Sequence, residues 1–522
     1  MKLKAAYLLV VLLLLFIAIP LGSLFFAGDL INSNLSQNTS HFSFWKDQYL
    51  RQVISFSLWQ ATLSTLLSVA GGLLVARAFA CYGDFPLRSV ILGLFGLPLV
   101  VPAIVAVLGV VSVYGAQGWL PLGNKLYGLN GILLAHLFFN LPLAVRLLLP
   151  VWNQVPQQYW HLATQFKLGK WQRWRHIEWP ALREVLPGVS VLIFMLCLTS
   201  FAVVLTLGGG PKSTTLEVAI YQSLRFDFDP AQAVLLAIIQ LALSIFIAVI
   251  AAWFSRLPDV EENLQIKNKI PGQTHSLFSF ILIFSAVIFV ASPLLAMLLD
   301  AIRGPLRQVL YDINLWRAAG FSLLIGLSAA TIAATLGWVL LSASAEKAYA
   351  GNKRLAHFFE LSGSVIYVVP PLVIGTGLFI LLSKLINVFE WAIPIVILIN
   401  GIMGLPFVIR TLGTAMRQNT KRYERLCQSL NITGWQRFKH IDLPLLRKPL
   451  GLSVALVTAM AMGDLGVIAL FGTPQTATLP LLLYQRLASY QMPQAAVTAV
   501  FLLAICLLAF WLLERSIGGK KE

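Results

Sequence analysis

The sequence predicts an all-α polytopic membrane protein of about twelve transmembrane helices, arranged as two parallel-repeated six-helix halves. Three observations carry that prediction. Of the 522 residues, 58% are hydrophobic and only 11% charged, and a water-facing surface cannot be covered with so few polar groups. Long runs without Asp, Glu, Lys or Arg recur along the chain, for example 52–76, 89–124, 185–211, 318–345 and 487–513. A bilayer core of about 30 Å needs roughly 20 helical residues, and these runs supply them. Third, a basic, aromatic, proline-marked phrase occurs twice at a fixed distance: WQRWRHIEWPALR at 171–183 and WQRFKHIDLPLLR at 435–447.

Taken in order, with charges as boundaries, the expected spans are roughly 5–27, 53–79, 89–114, 128–149, 185–207, 232–254, 276–299, 318–344, 359–382, 390–412, 450–472 and 494–514. The first could be mistaken for a secretory signal, but its uncharged run from Ala5 to Gly28 exceeds the roughly 7 to 15 residues of a signal core, so it reads as a retained span. The most polar interruption is RLPDVEENLQIKNKIPGQTH at 256–275, which carries two prolines and reads as a cytoplasmic linker. The expected organisation is a first half over 1–255, this linker, and a second half over 276–522.

The net charge of +17 could suggest nucleic acid, but its distribution points to topology. Lys2 and Lys4 precede the first span; Lys167, Lys170, Arg173, Arg175 and Arg183 share one inter-span segment; Arg417, Lys421, Arg422, Arg425, Arg437, Lys439, Arg447 and Lys448 share another. Basic residues concentrate on the cytoplasmic side, so both termini and both segments are expected there, and no nucleic-acid partner is implied. Cys81, Cys197, Cys427 and Cys506 stand singly, without the spacing of a disulfide framework or zinc site. The histidines show no H-x-x-x-H pattern or paired acid, so neither a metal site nor a catalytic residue is predicted, and the chain reads as a transport protein rather than an enzyme.

The halves share more than the phrase. Tyr159, Leu162, Ile177 and Pro180 match Tyr423, Leu426, Ile441 and Pro444, and Leu141, Pro142 and Arg146 match Leu405, Pro406 and Arg410, all at a separation of 264. Downstream, IYQSL (220–224) answers LYQRL (483–487) and Pro230 answers Pro493, at 263. Six expected spans lie between the two phrases. An even number returns the chain to the same side, so the repeat is parallel.

Within 159–180 a short helix can form before Gly169 and a second after it, ending at Pro180, because proline interrupts a helix interior. Leu162, Ala163, Phe166 and Trp174 alternate there with Lys167, Arg173 and Arg175. An interfacial helix bound to anionic lipid would need only that composition. Recurrence of particular residues at particular spacing instead predicts a shaped docking element.

The order Ala163, Gly169, Ile177, Pro180 resembles the cytoplasmic EAA loop of ABC importer permeases. The acidic first residue of that motif corresponds to Trp160 or His161 in copy one and is Glu424 in copy two; copy two has Cys427 for the alanine, and its glycine is displaced to Gly434. The resemblance implies the type I importer permease fold, with coupling loops at 159–180 and 423–444 seated on two copies of a cytoplasmic ATPase. The coupling positions it implies are Ala163, Gly169, Trp171, Arg173, His176, Ile177 and Pro180, with Glu424, Gly434, Trp435, Arg437, His440, Ile441 and Pro444. ATP and magnesium would be used by the partner, with no cofactor on this chain. The segment LGGGPKSTT at 207–215 does not change this, because Pro211 stands where a phosphate-binding loop needs glycine before its lysine.

LIFMLCLTSFAVVLTLGGGPKSTTLEVAIYQSL (192–224), GILLAHLFFNLPLAVRLLL (131–149), SVYGAQGWL (112–120) and Gly463 to Gly466 are similar to the permeases of bacterial thiamine and thiamine pyrophosphate importers. That resemblance implies a multi-pass protein of the bacterial inner membrane and a periplasmic thiamine-binding protein as partner. Ferric-iron permeases share the layout and are the nearest alternative; an ion-gradient-driven transporter is a more distant one. Asp464 is the clearest acidic residue inside an expected span, a costly position that marks either a transport path or a buried pair, and its counterpart at 264 is Ser200.

Overall fold

A computed structural model describes residues 2–35, 47–82, 85–254 and 276–518, all of whose regular structure is helical. The linker expected at 256–275 lies outside the described residues. Of the fourteen described helices of twelve residues or more, two are Lys353–Ser364 and Ala392–Met403, and the others follow in chain order: α1 (Lys2–Leu35), α2 (Gln48–Tyr82), α3 (Ala103–Tyr114), α4 (Leu129–Leu148), α5 (Trp179–Leu198), α6 (Pro230–Phe254), α7 (Leu277–Arg303), α8 (Ile313–Tyr349), α9 (Pro371–Leu382), α10 (Leu405–Ser429), α11 (Leu443–Gly463) and α12 (Met492–Gly518).

Among the described residues, ten helices are long and apolar enough to cross a membrane, and an eleventh span forms if Lys353–Val368 and Pro371–Leu382, bent by 81°, are taken together. The ten correspond to the roughly twelve expected spans, less those at 89–114 and 359–382, which no single helix crosses. The shortfall has one cause, repeated in each half: the third expected span is broken by proline. Residues 88–114 divide into Arg88–Leu94, Leu97–Leu99 and α3, with Pro102 extended (φ −57°, ψ 141°) just before α3. Residues 353–382 divide in the same way, with Pro370 extended (φ −59°, ψ 140°) just before α9. The fifth span of each half is also broken: after α5 a short helix Phe201–Leu207 follows, and after α11 a short helix Gly466–Phe471.

The contacts form two compact units that do not follow the sequence halves. One comprises Met1–Ser40, Ala219–Ala242 and Pro305–Glu522; the other, His41–Val218 and Leu243–Gly304. In the first unit α1 packs on α8 and α9, and in the second α7 packs on α2 and α3. The leading helix of each sequence half therefore joins helices of the other half. Both crossings use the same device, a proline backbone against a glycine. A Cβ at Gly109 of α3 would stand 2.7 Å from the carbonyl oxygen of Pro293 in α7, and one at Gly377 of α9 would stand closer still to that of Pro20 in α1. Without a side chain at the glycine, the backbones approach closely enough for dense van der Waals packing in an apolar surround.

Each half also contains a short helix pinned from a distance. Ser57 Oγ in α2 accepts from the backbone N–H of Leu216 at 2.9 Å, capping Leu216–Arg225; Ser322 Oγ in α8 accepts from Leu479 N–H at 2.9 Å, capping Leu479–Ala488. A hydroxyl satisfies an otherwise unpaired N-terminal donor in both cases.

Candidate functional site

The repeated basic segments fold alike, bond for bond. In copy one the helix Gln157–Gln165 closes with Phe166 N–H to Leu162 O (2.9 Å), Lys167 N–H to Thr164 O (3.1 Å) and Leu168 N–H to Ala163 O (2.9 Å). In copy two α10 closes with Leu430 N–H to Leu426 O (3.1 Å), Asn431 N–H to Gln428 O (3.2 Å) and Ile432 N–H to Cys427 O (2.9 Å). This is a Schellman closure, and the residue that turns left-handed is Lys167 in one copy and Asn431 in the other. The offset of 264 holds through every one of these bonds. It makes Trp160, not His161, the counterpart of Glu424, and makes Cys427 the counterpart of Ala163. Both Ala163 and Cys427 are buried.

The glycines do not correspond. Gly169 precedes the next helix with an extended backbone, as Thr433 does in copy two, whereas Gly434 is one position further on, at φ 57°.

After the closure each chain enters a single helical turn, Lys170–Arg173 or Gly434–Arg437, then a π-helical turn, Trp174–Glu178 or Phe438–Asp442, and runs directly into α5 or α11. The expectation that the second helix ends at Pro180 is thus corrected. Pro180 and Pro444 sit in the first turn of α5 and α11, inside continuous helical stretches that run Lys170–Leu198 and Gly434–Gly463. A π-turn loosens the ladder by one residue, and this is where a proline, lacking an N–H and needing room for its ring, is accommodated.

The π-turn of each copy ends on a buried acid that sequence reading missed. Glu178 receives Arg77 Nε at 2.8 Å and Nη2 at 3.0 Å, and Trp152 Nε1 at 3.2 Å. The Arg77 guanidinium also lies 4.7 Å from the centroid of the Trp174 ring. Asp442, at the matching position, receives Asn419 Nδ2 at 3.1 Å and pairs with Arg437 Nε at 3.3 Å. Arg437 spans two acids, with Nη1 2.7 Å from Glu424. Its counterpart Arg173 has Trp160 where Glu424 would be and donates instead to Leu168 O at 3.0 Å. The signal that would have found the acids is an acidic residue recurring at 264 within a basic segment.

With these groups turned inward, an apolar set faces outward at matching positions. Leu162, Phe166 and Trp171 are 45%, 73% and 70% exposed; Leu426, Leu430 and Trp435 are 49%, 59% and 72% exposed. His176 and His440 are exposed beside them, and Ile177 and Ile441 are half-buried.

The two residues considered for a transport path stand at equivalent breaks. Ser200 precedes Phe201–Leu207 and makes no side-chain cap. Asp464 accepts from Gly466 N–H at 3.1 Å, Val467 N–H at 3.3 Å and Asn400 Nδ2 at 3.3 Å, so its carboxylate caps the short helix Gly466–Phe471 and pairs with an amide of the preceding span.

The family described as binding-protein-dependent transport system inner membrane component matches residues 68–259 and 337–517, and each matched segment encloses one copy of the loop. The chain belongs to this family. It is therefore a multi-pass permease component of an inner-membrane ABC transport system, a transport subunit and not a catalytic one. The chain is 43% identical to the thiamine transport system permease protein ThiP of Brucella abortus (strain 2308) over 489 residues, 91% of this chain and 89% of that protein. It is 41% identical to ThiP of Escherichia coli (strain K12) over 485 residues, 91% and 90% of the two chains. The ThiP of Haemophilus influenzae (strain ATCC 51907 / DSM 11121 / KW20 / Rd) is 40% identical over 483 residues, 90% and 89%.

Proposed function

We propose that this permease forms the membrane path for import of thiamine or its phosphates. The observation that carries the substrate is identity of 40–43% to ThiP proteins over about nine-tenths of the chain. A periplasmic thiamine-binding protein delivers the substrate, and two copies of a cytoplasmic ABC ATPase use ATP and magnesium to drive the cycle. Both termini face the cytoplasm, as the basic segments favour.

The ATPases dock on 159–180 and 423–444. What supports this is an exposed aliphatic and aromatic triplet recurring at identical spacing on two identically closed turns, each backed by a buried acid and cation. Aromatic anchors of this kind dominate binding energy when a partner pocket covers them. Each loop runs without a break into α5 or α11, so a push on the docking turn becomes a shift of a whole span. Ser200 and Asp464 lie beside the path at the two breaks; Asp464 would lower the barrier for a cation while capping its helix.

The test is uptake of labelled thiamine by cells lacking their own importer, supplied with this chain, its ATPase and its binding protein. Uptake that disappears when Trp171–His176 and Trp435–His440 are scrambled, with protein level unchanged, supports substrate and coupling together. A fully assembled complex that takes up no thiamine overturns the substrate assignment.

A further inference from the structure

The repeated IYQSL and LYQRL segments sit on the short helices Leu216–Arg225 and Leu479–Ala488, and neither helix has a role in docking. A full span, ending at Leu207 or Phe471, separates each from its own basic loop, so each lies at the far end of that span from the loop. There a residue of the first sequence half holds the second. Arg225, the last residue of its helix, donates from Nη2 to the backbone carbonyl of Gly472 at 3.0 Å, and its guanidinium carbon lies 5.2 Å from the centroid of the Phe389 ring. The Tyr221 hydroxyl bonds to the same guanidinium.

The arrangement is one-sided. At 263 beyond Arg225 stands Ala488, so no second arginine mirrors the first. The acceptor is the main-chain carbonyl of Gly472, which closes the short helix Gly466–Phe471, and the other partner an aromatic face. Both are directional enough to set a position, and neither is a buried counter-charge that would make separation prohibitive.

We propose that Arg225 is a positioning residue that clasps the two sequence halves at the end facing the binding protein, and that it must release Gly472 and Phe389 each time the path opens to receive substrate. This rests on the permease reading above. Opening is then set by the balance between the clasp and the closing of the ATPases. Weakening the clasp lets the ATPases cycle without a loaded binding protein.

The experiment uses the whole complex of permease, ATPase and binding protein in proteoliposomes. Arg225→Ala should raise ATP hydrolysis without binding protein about 5-fold, the low end of typical coupling effects, and lower the substrate imported per ATP. Arg225→Lys, which keeps the cation and a donor, should recover most of the wild-type behaviour. In a background with the four native cysteines replaced, Arg225→Cys with Phe389→Cys should be bridged by a short bis-maleimide in the nucleotide-free complex and not in the vanadate-trapped one, and the bridged complex should not transport. Unchanged ATPase coupling in Arg225→Ala, or transport by the bridged complex, would overturn the clasp. If the wild-type complex itself shows no stimulation by its binding protein, the permease reading fails; if the wild type is stimulated and the variants match it, the clasp alone fails.

Discussion

Lys167 and Asn431, 264 residues apart, turn the chain with the same left-handed backbone, at φ 51° and 50°. Neither is glycine, and a lysine there is conformationally costly. The turn is kept because it aims everything after it. It sets the exposed Trp171 and Trp435 on one side and the buried Glu178 and Asp442 on the other, and it hands the chain to the π-turn that admits Pro180 and Pro444.

Trp171→Ala and Trp435→Ala should each weaken retention of the ATPase about 10-fold or more, as loss of a buried aromatic anchor does, and the double variant should abolish it. Copurification of the ATPase with tagged permease reads this directly. Retention at the wild-type level in the double variant would remove the tryptophans from the docking surface.

Removing Glu178 strands the donors that meet on it, the Arg77 guanidinium and Trp152 Nε1. Glu178→Ala should cost about 1–3 kcal/mol, seen as a lower melting temperature of the detergent-solubilised protein. Arg77→Met combined with Glu178→Met should recover part of the loss, because the unpaired guanidinium goes with its partner and Trp152 Nε1 is the one donor left without Glu178. Asp442→Asn should cost less, since Asn419 can still donate to the remaining carbonyl oxygen.

At the helix crossings, Gly109→Leu and Gly377→Leu should each destabilise by about 1–3 kcal/mol through overpacking against a proline backbone that cannot retreat. Exposed glycines such as Gly210, with open space around the position of a Cβ, bear no such packing constraint. Limited proteolysis in detergent, comparing the two crossing variants with wild type, checks the expectation.

Asp464 separates into cap and charge. Asp464→Asn keeps an oxygen for the Gly466 or Val467 N–H and should hold stability within about 1 kcal/mol, the usual scale of a capping residue. If the charge serves a cationic substrate, uptake by this variant falls although the protein melts as before. Uptake equal to wild type would leave Asp464 with a capping role only.

The repeat was legible because it is written in residue identity. Tyr159 with Tyr423 and Pro180 with Pro444 establish the offset without coordinates, and the backbone closures at Lys167 and Asn431 keep the same register. The acids were harder to see. Glu178 is one charge among many in a basic segment, and the Arg77 that completes it is 101 residues earlier in a different span. The expected stop at Pro180 followed the ordinary rule for a proline in a helix. A one-residue widening of the ladder evades that rule, and side-chain pattern carries no mark of it.

By itself the sequence determined an all-helical membrane chain, its duplication, and the resemblance that led to a permease. These depend on local hydropathy and on identities at fixed spacing, quantities that a linear reading contains. Tertiary structure decided which spans are broken, that Trp160 takes the place of Glu424, which cation neutralises each buried acid, and that α1 and α7 each pack with helices of the other sequence half. Those outcomes depend on how closely two backbones can approach, as Pro20 with Gly377 and Pro293 with Gly109 show. An apolar helix is equally soluble in lipid beside any neighbour, so its hydropathy cannot name the one whose shape it fits.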